Sequence, residues 1–360
     1  MEITARTLNR TYLSRQLLLD PPESAAPARG VADVVAHLVA LQAQEVDAPY
    51  VGLWARIPGF THDDLTRALE SREVVRAGLL RGTQHLSAAA DYRWLRPLIK
   101  AGLGETGLSG FRRDIQGLDL PAVAARSREI LAGRTMTRPQ LAKALAPHFP
   151  QHQGIVLGWI AQHQLNLVHP PPSGLWHRRG HVHVALAEDW LGGPLAEEPK
   201  IEELIWRYLR SCGPATVADL QVWSGLRRLR EPLESMRGRL RTYRDESGRE
   251  LFDAPDAELT DPETPAPVRF LPDFDNLVLS HDDRARIIRT PADRALVCPG
   301  YSIVRPTFLV DGYVAGTWSL EKDRLRIEPF APLADPAPVH AEAQRLCAFL
   351  QVPEDTPIDL

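Results

Sequence analysis

The feature that most constrains this chain is a recurrence. Three helices followed by a β-hairpin recur three times before about residue 255, and spacings of this size mark tandem modules. The third run, from about 198, is the clearest. Ile201 to Arg210 carries Leu204, Ile205, Tyr208 and Leu209 at helical spacing. CGPAT is a turn, Thr216 is an N-cap for a short helix over Val217 to Trp223, and Ser224-Gly225 is a tight turn. A basic helix is predicted over 226–240, and RTYRDESGRELFD is a hairpin around Ser247-Gly248. That order is the order of a winged helix-turn-helix.

The first run covers about 5–110. Helices are predicted over Leu8 to Leu19 and Val31 to Gln44, separated by the linker PPESAAPARG at 21–30. Thr61 caps a third helix whose first turn holds Asp63 and Asp64, where the helix dipole favours acids. VVRAGLLRGTQHLS then makes two short strands about Arg81-Gly82. The second run predicts helices over Leu120 to Ala132, Pro139 to Leu145 (capped by Thr137) and Gly154 to Leu167. PPPSG breaks the last, and LWHRRGHVHVAL reads as a hairpin centred on Arg179-Gly180.

After Pro265 the texture is strand-like: VRFLPDFDNLVLS, RALVCP, TFLVDGYVAGTWSL and DRLRIEPF, with turns at Asp311-Gly312 and Lys322-Asp323. A closing helix over Val339 to Leu350 and a frayed tail over 351–360 complete the chain. The expected fold is α+β. Winged helix-turn-helix units occupy 1–115, 116–196 and 197–260, and an antiparallel β-rich subdomain occupies 261–360.

The net charge of −4 excludes a uniformly basic coat protein but leaves room for a local basic groove. All but four of the 42 basic residues are arginine. GC-rich coding explains that bias, although the planar guanidinium also suits phosphate. From Arg227 to Arg244, seven arginines face two glutamates, a net of +5 over 18 residues. Some share a helix face and are candidates for a phosphate backbone, Arg227, Arg228 and Arg237 among them. Cys212, Cys298 and Cys347 are odd in number and far apart, so neither a disulfide framework nor a cysteine zinc site follows. No apolar run approaches the ~18 residues of a bilayer span, and MEITARTLNR lacks a secretory h-region. Together these point to the cytoplasm, with no membrane partner.

No GxSxG, P-loop or dinucleotide fingerprint occurs. His181 and His183 mimic a ligand pair, but no third ligand lies nearby, so neither a metal nor a cofactor is expected. Gln42 and Gln44 flank Ala43 at the end of a predicted helix. Two glutamines near a helix end are ordinarily surface residues. If the chain there is extended, however, both amides face one way and can hold a water or a polar ligand.

LVALQAQ with PYVGLWAR, LLRGTQHL with DYRWL, CGPATVADLQVWSGL, LPDFDNLVLSHDDR and FLVDGYVAGTW span nearly the whole chain. In these segments the sequence resembles the winged-helix bacterial DNA glycosylases of the AlkZ-like group, found in actinobacteria that make DNA-alkylating products. The resemblance implies three tandem winged helices and a β-rich part arranged as a C around duplex DNA. It also implies a catalytic QxQ triplet, here Gln42 and Gln44. The YcaQ-like relatives carry QxD, so Gln44 places the chain with the AlkZ-like branch; Ala43 is smaller than the usual middle residue. Motif position, charge and turn context add Arg81, His85, His281, Arg284 and Arg286 as DNA contacts.

The implied activity is a monofunctional glycosylase for bulky N7-alkylpurines and interstrand crosslinks, acting in repair or self-resistance. Its partner is double-stranded DNA, and a one-piece clamp suggests a monomer. With four lysines and none in a motif, no Schiff-base nucleophile is evident. The alternative is a winged-helix DNA-binding protein without enzymatic activity, either a regulator or a lesion-sequestering protein.

Overall fold

A computed structural model describes residues 2–19, 29–300, 303–322 and 324–360. The predicted linker lies largely outside these residues, as does Asp323 of the predicted Lys322-Asp323 turn.

In the first unit, helix Val31–His37 leads into strand Leu41–Gln42. Helices Ala48–Trp54 and His62–Glu70 and strands Val74–Gly78 and Gln84–Ala88 follow. The short strand pairs with the last (Leu41 opposite Leu86), and the last pairs back on the middle one (Val75 opposite Ser87). The second unit repeats this order. Its short strand Met136–Thr137 and its strand Leu167–Val168 both pair with His183–Leu186. In the third, a single bridge from Ala215 to Phe252 replaces the short strand beside the hairpin Arg241–Asp245/Glu250–Asp253. All three units therefore share one connectivity, with a short strand or bridge after the first helix that the recurrence of three helices and a hairpin does not include.

Local chemistry explains why the helices start where they do. The Thr61 N–H donates to the Asp64 carboxylate at 2.8 Å. Thr137 exchanges hydrogen bonds with Gln140 (2.8 and 3.3 Å), and Thr216 does so with Asp219 (2.8 and 3.1 Å). Each pair satisfies amide groups that the first helical turn leaves open.

Several expectations are corrected. The helix predicted over Val31 to Gln44 ends at His37, because Val39 turns left-handed (φ 68°) and the chain continues extended. The basic helix over 226–240 shrinks to Arg230–Ser235 with a 3₁₀ turn at Arg237–Arg239. Arg228 at φ 59° and the Leu229 N–H bonded to Gln221 Oε1 (3.1 Å) keep its first residues out of helix. RALVCP is helical: Thr290 caps Pro291–Val297, and proline in the first turn overrides the apolar run. Within the stretch after Pro265, Asn276–Leu279 is also helical. The second unit's hairpin uses Leu167–Val168 as its first strand, leaving 169–182 as a long loop. The tail is not frayed throughout, since Ile358–Asp359 pairs parallel with Leu325–Arg326. Helix Ala89–Leu103 was not anticipated.

The N-terminal segment reaches across the molecule. Glu2–Ile3 pairs with Arg244–Asp245 of the third unit, and the Arg15–Asp253 ion pair (2.7 and 2.9 Å) is buried behind it. The C-terminal sheet runs Arg269–Leu271, Thr307–Val310, Tyr313–Leu320, Leu325–Pro329 and Ile358–Asp359. Helix Ala337–Phe349 closes it, packing Val339, Ala343 and Leu346 over Phe270 and Phe308. This subdomain is tied to the first unit by Arg56 and Asp275, both fully buried and paired at 2.7 and 2.9 Å. A continuous core through Tyr12, Tyr208, Trp223 and Leu277 joins the first and third units to the C-terminal part. Among the described residues, no helix is long and apolar enough to cross a membrane.

Candidate active site

The strand Leu41–Gln42 is held along both edges. On one side Gln42 pairs opposite His85, and the Ala43 N–H donates to the Gln84 carbonyl at 2.8 Å. On the other, the Asn276 side chain substitutes for a strand: Oδ1 accepts from the Gln42 N–H (3.3 Å) and Nδ2 donates to the Ala40 carbonyl (2.6 Å). Extended chain puts alternate side chains on one face, and Gln42 and Gln44 both line one open cleft of about 860 Å³. Between them Ala43 is fully buried.

Arg76 holds the triplet from within. Its Nε and Nη2 donate to the Ala43 carbonyl at 3.1 and 3.0 Å, and Nη1 lies 3.4 Å from His169 Nδ1. Arg76 is buried, and desolvation lowers it to about 10, so it stays charged at neutral pH.

Thr83 orients the first amide. Its hydroxyl lies 3.2 Å from the Leu80 carbonyl, 3.3 Å from Gln42 Nε2 and 3.4 Å from Gln42 Oε1. A hydroxyl has one proton. When that proton goes to Leu80, the hydroxyl oxygen accepts from Gln42 Nε2, and Gln42 Oε1 is left for the cleft. Gln44 Oε1 accepts from the Gln84 N–H at 3.2 Å.

The remaining walls come from distant chain: Val222 of the third unit, then Phe274, Leu279, Arg284, Arg294 and Ile303. Glu45 also lines the cleft. Burial, reinforced by the Glu45 charge, pushes the neighbouring Asp273 carboxyl up to about 6.

Of the residues singled out in the sequence, the fold brings Gln42, Gln44, Arg81 and Arg284 to this one cleft. Arg81 is committed there: its guanidinium donates to the Trp223 carbonyl and, at 3.3 Å, to His85 Nε2. Arg284 Nη1 lies 2.7 Å from Cys298 Sγ. His85 and His281 are corrected as direct DNA contacts. Both are buried, and desolvation lowers each to about 3, keeping it neutral. His85 Nδ1 donates to the Thr83 carbonyl at 3.0 Å, and His281 Nε2 to Cys212 at 3.0 Å. Arg286 spends its guanidinium on the Pro214 carbonyl at 3.1 Å. Arg237 is paired with Glu234 and Glu250, which offset its charge. Arg227 and Arg228 are exposed on the loop after the Gly225 turn, outside the cleft lining. Sequence reasoning missed Arg76, Thr83, Asn276 and Arg294. The one available signal was Arg76, a charge at an inward position of the strand VVRAG.

A family model described as DNA glycosylase AlkZ-like matches residues 35–349. The chain belongs to the AlkZ-like DNA glycosylase family. It is 25% identical over 342 residues to a Streptomyces sahachiroi protein named interstrand DNA cross-link repair glycosylase, covering 86% of this chain and 87% of that one. Its fold resembles the solved structure of Streptomyces sahachiroi DNA glycosylase AlkZ with a TM-score of 0.80, at 21% identity and 99% coverage of both chains. The α+β architecture expected from the sequence is thus the architecture of a known family structure. Among the described residues, no group of three or more His, Cys, Asp or Glu side chains is placed to hold a metal.

Proposed function

We propose that this AlkZ-like family member is a monofunctional glycosylase that hydrolyses the N-glycosidic bond of bulky N7-alkylpurines in duplex DNA and unhooks interstrand crosslinks. The relative's name motivates the crosslink substrate. The observation that carries the catalytic reading is the pair of neutral amides, Gln42 and Gln44, held side by side on extended chain at an open cleft.

Breaking this bond develops positive charge on the sugar, as in glycoside hydrolysis. An N7-alkylated purine is already cationic and leaves without a strong general acid. The site then has to orient water and offer oxygens to the sugar. Gln42 Oε1, freed by Thr83, supplies such an oxygen; the Gln44 amide, steadied by the Gln84 N–H, positions the water. Preorganised dipoles of this kind stabilise a transition state without reorganising. A cleft this open also suits an adduct too bulky for a tight flipping pocket. In this reading a C-shaped monomer grips the duplex, and the enzyme protects its host from a genotoxic product.

The test is a single-turnover assay on a duplex bearing one N7-methylguanine or one bulky N7 adduct, followed by alkaline cleavage. Strand scission at the lesion is expected, with a loss of at least tenfold in folded, DNA-bound Gln42→Ala and Gln44→Ala. Wild-type rates in both variants would overturn the catalytic assignment. Borohydride trapping of a protein–DNA adduct would overturn the monofunctional one. No scission with either substrate would leave a DNA-binding protein.

A further inference from the structure

The long loop of the second unit, 169–182, carries WHRRGH, of which Trp176 packs against the first unit's core and none lines the cleft. The loop is seated firmly on the first unit. The Trp176 N–H donates to the Tyr50 hydroxyl at 3.0 Å, and the Trp176 ring stacks on His62 with centroids 4.1 Å apart. The His177 N–H donates to Asp47 Oδ1 at 2.8 Å, and His177 Nδ1 lies 3.1 Å from Asp47 Oδ2. At its base Gly174, with φ 91°, lies against Arg76, where a Cβ would come within 2.8 Å of Arg76 Cδ.

Its tip, by contrast, is held out in solvent. Arg179 is 80% exposed and 3.7 Å from Asp47, and Arg178 is exposed with no guanidinium partner among the described residues. Of the two, only Arg179 approaches a carboxylate among the described residues, that of Asp47, which His177 already engages. Two arginines of the third unit are different: Arg237 faces two glutamates and Arg249 two aspartates. Asp47 is two residues from cleft-lining Glu45, so the anchor of the loop lies within about 7 Å of chain from the cleft wall.

We propose that this loop is a DNA-backbone contact, in which the Arg178 and Arg179 guanidinium groups take two phosphates of the strand running past Gln44. The inference rests on duplex DNA being the substrate. Guanidinium suits this role because its planar fork matches phosphate oxygens. Because the loop is already ordered, binding costs little further conformational entropy.

The probe is a 20-base-pair duplex with a central abasic-site analogue, its Kd measured across a range of NaCl concentrations. Each neutralised phosphate contributes about 0.9 to the slope of log affinity against log salt. Arg178→Ala/Arg179→Ala is expected to reduce the slope by about 1.8 and to weaken binding at low salt, with an unchanged melting temperature. Arg178→Lys/Arg179→Lys is expected to keep most of the slope. A double-alanine slope equal to that of wild type, in a wild type that binds and excises, overturns this inference alone. A wild type whose binding to the duplex shows no salt dependence overturns the DNA reading as well.

Discussion

Replacing Arg76 by methionine separates catalysis from folding. Methionine keeps much of the aliphatic stem and removes the guanidinium, and with it the two bonds to the Ala43 carbonyl at 3.1 and 3.0 Å. A bond from a charged donor contributes about 1.5–3 kcal/mol. The variant also leaves a fully buried residue with an unsatisfied carbonyl. Against this, Arg76 is a buried cation with no carboxylate at ion-pair distance among the described residues, Glu45 acting only at longer range. Removing it relieves a desolvation penalty of similar size. Global stability is therefore expected to change by no more than about 1 kcal/mol.

The catalytic step has no such offset. With its carbonyl free, the Ala43–Gln44 peptide can rotate, and small misplacements of a positioned group are costly. If about 2 kcal/mol of orientation is lost, the single-turnover rate at saturating enzyme falls about thirtyfold. DNA affinity should stay within about twofold, and Arg76→Lys, which restores one donor, should recover part of the rate. The assay is excision of a single N7-alkylguanine alongside thermal melting. A wild-type rate in folded Arg76→Met would refute the clamp. Equal losses in rate and binding would show that Arg76 merely supports the fold.

Other perturbations have defined outcomes. Thr83→Val removes the group that orients the Gln42 amide, so excision is expected to slow about fivefold, for about 1 kcal/mol, with unchanged Kd. Gly225→Ala forces a Cβ to within 2.8 Å of Arg81 Cα at a φ of 78°, and a loss on the order of 2–3 kcal/mol is expected by denaturant titration. Asp273 is raised to about 6 in the folded protein, so its ionisation penalises folding fully above pH 6 and not at all below its unfolded value near 3.8. Asp273→Asn should therefore stabilise the protein by on the order of 1–2 kcal/mol at pH 7, a gain that melting curves should show fading toward pH 4.

Much of the fold was legible because it is built from short-range rules. The caps at Thr61, Thr137 and Thr216 and the turn at Gly225 act within four residues of chain, and each is where the sequence puts it. The misreadings have separate local causes. RALVCP is apolar enough for a strand, and the Thr290 cap and Pro291, just upstream of it, make it part of a helix instead. The basic stretch after Gly225 looks continuous, yet Arg228 turns the backbone left-handed and the helix runs only over Arg230–Ser235, with Pro232 in its first turn.

The sequence by itself determined the α+β class, the family and the presence of two glutamines one residue apart, because periodicity, caps and motif segments are properties of neighbouring residues. Only the tertiary structure decided what those glutamines can do. Gln42 is extended because Asn276, 234 residues away, takes its N–H, and Arg76 reaches Ala43 from two strands across the sheet. Tertiary packing also removed His85 and His281 from the surface, since burial is set by everything packed around a residue. Hydrogen bonds and desolvation act through space, and a chain's order along its length does not record which distant groups its folding will bring together.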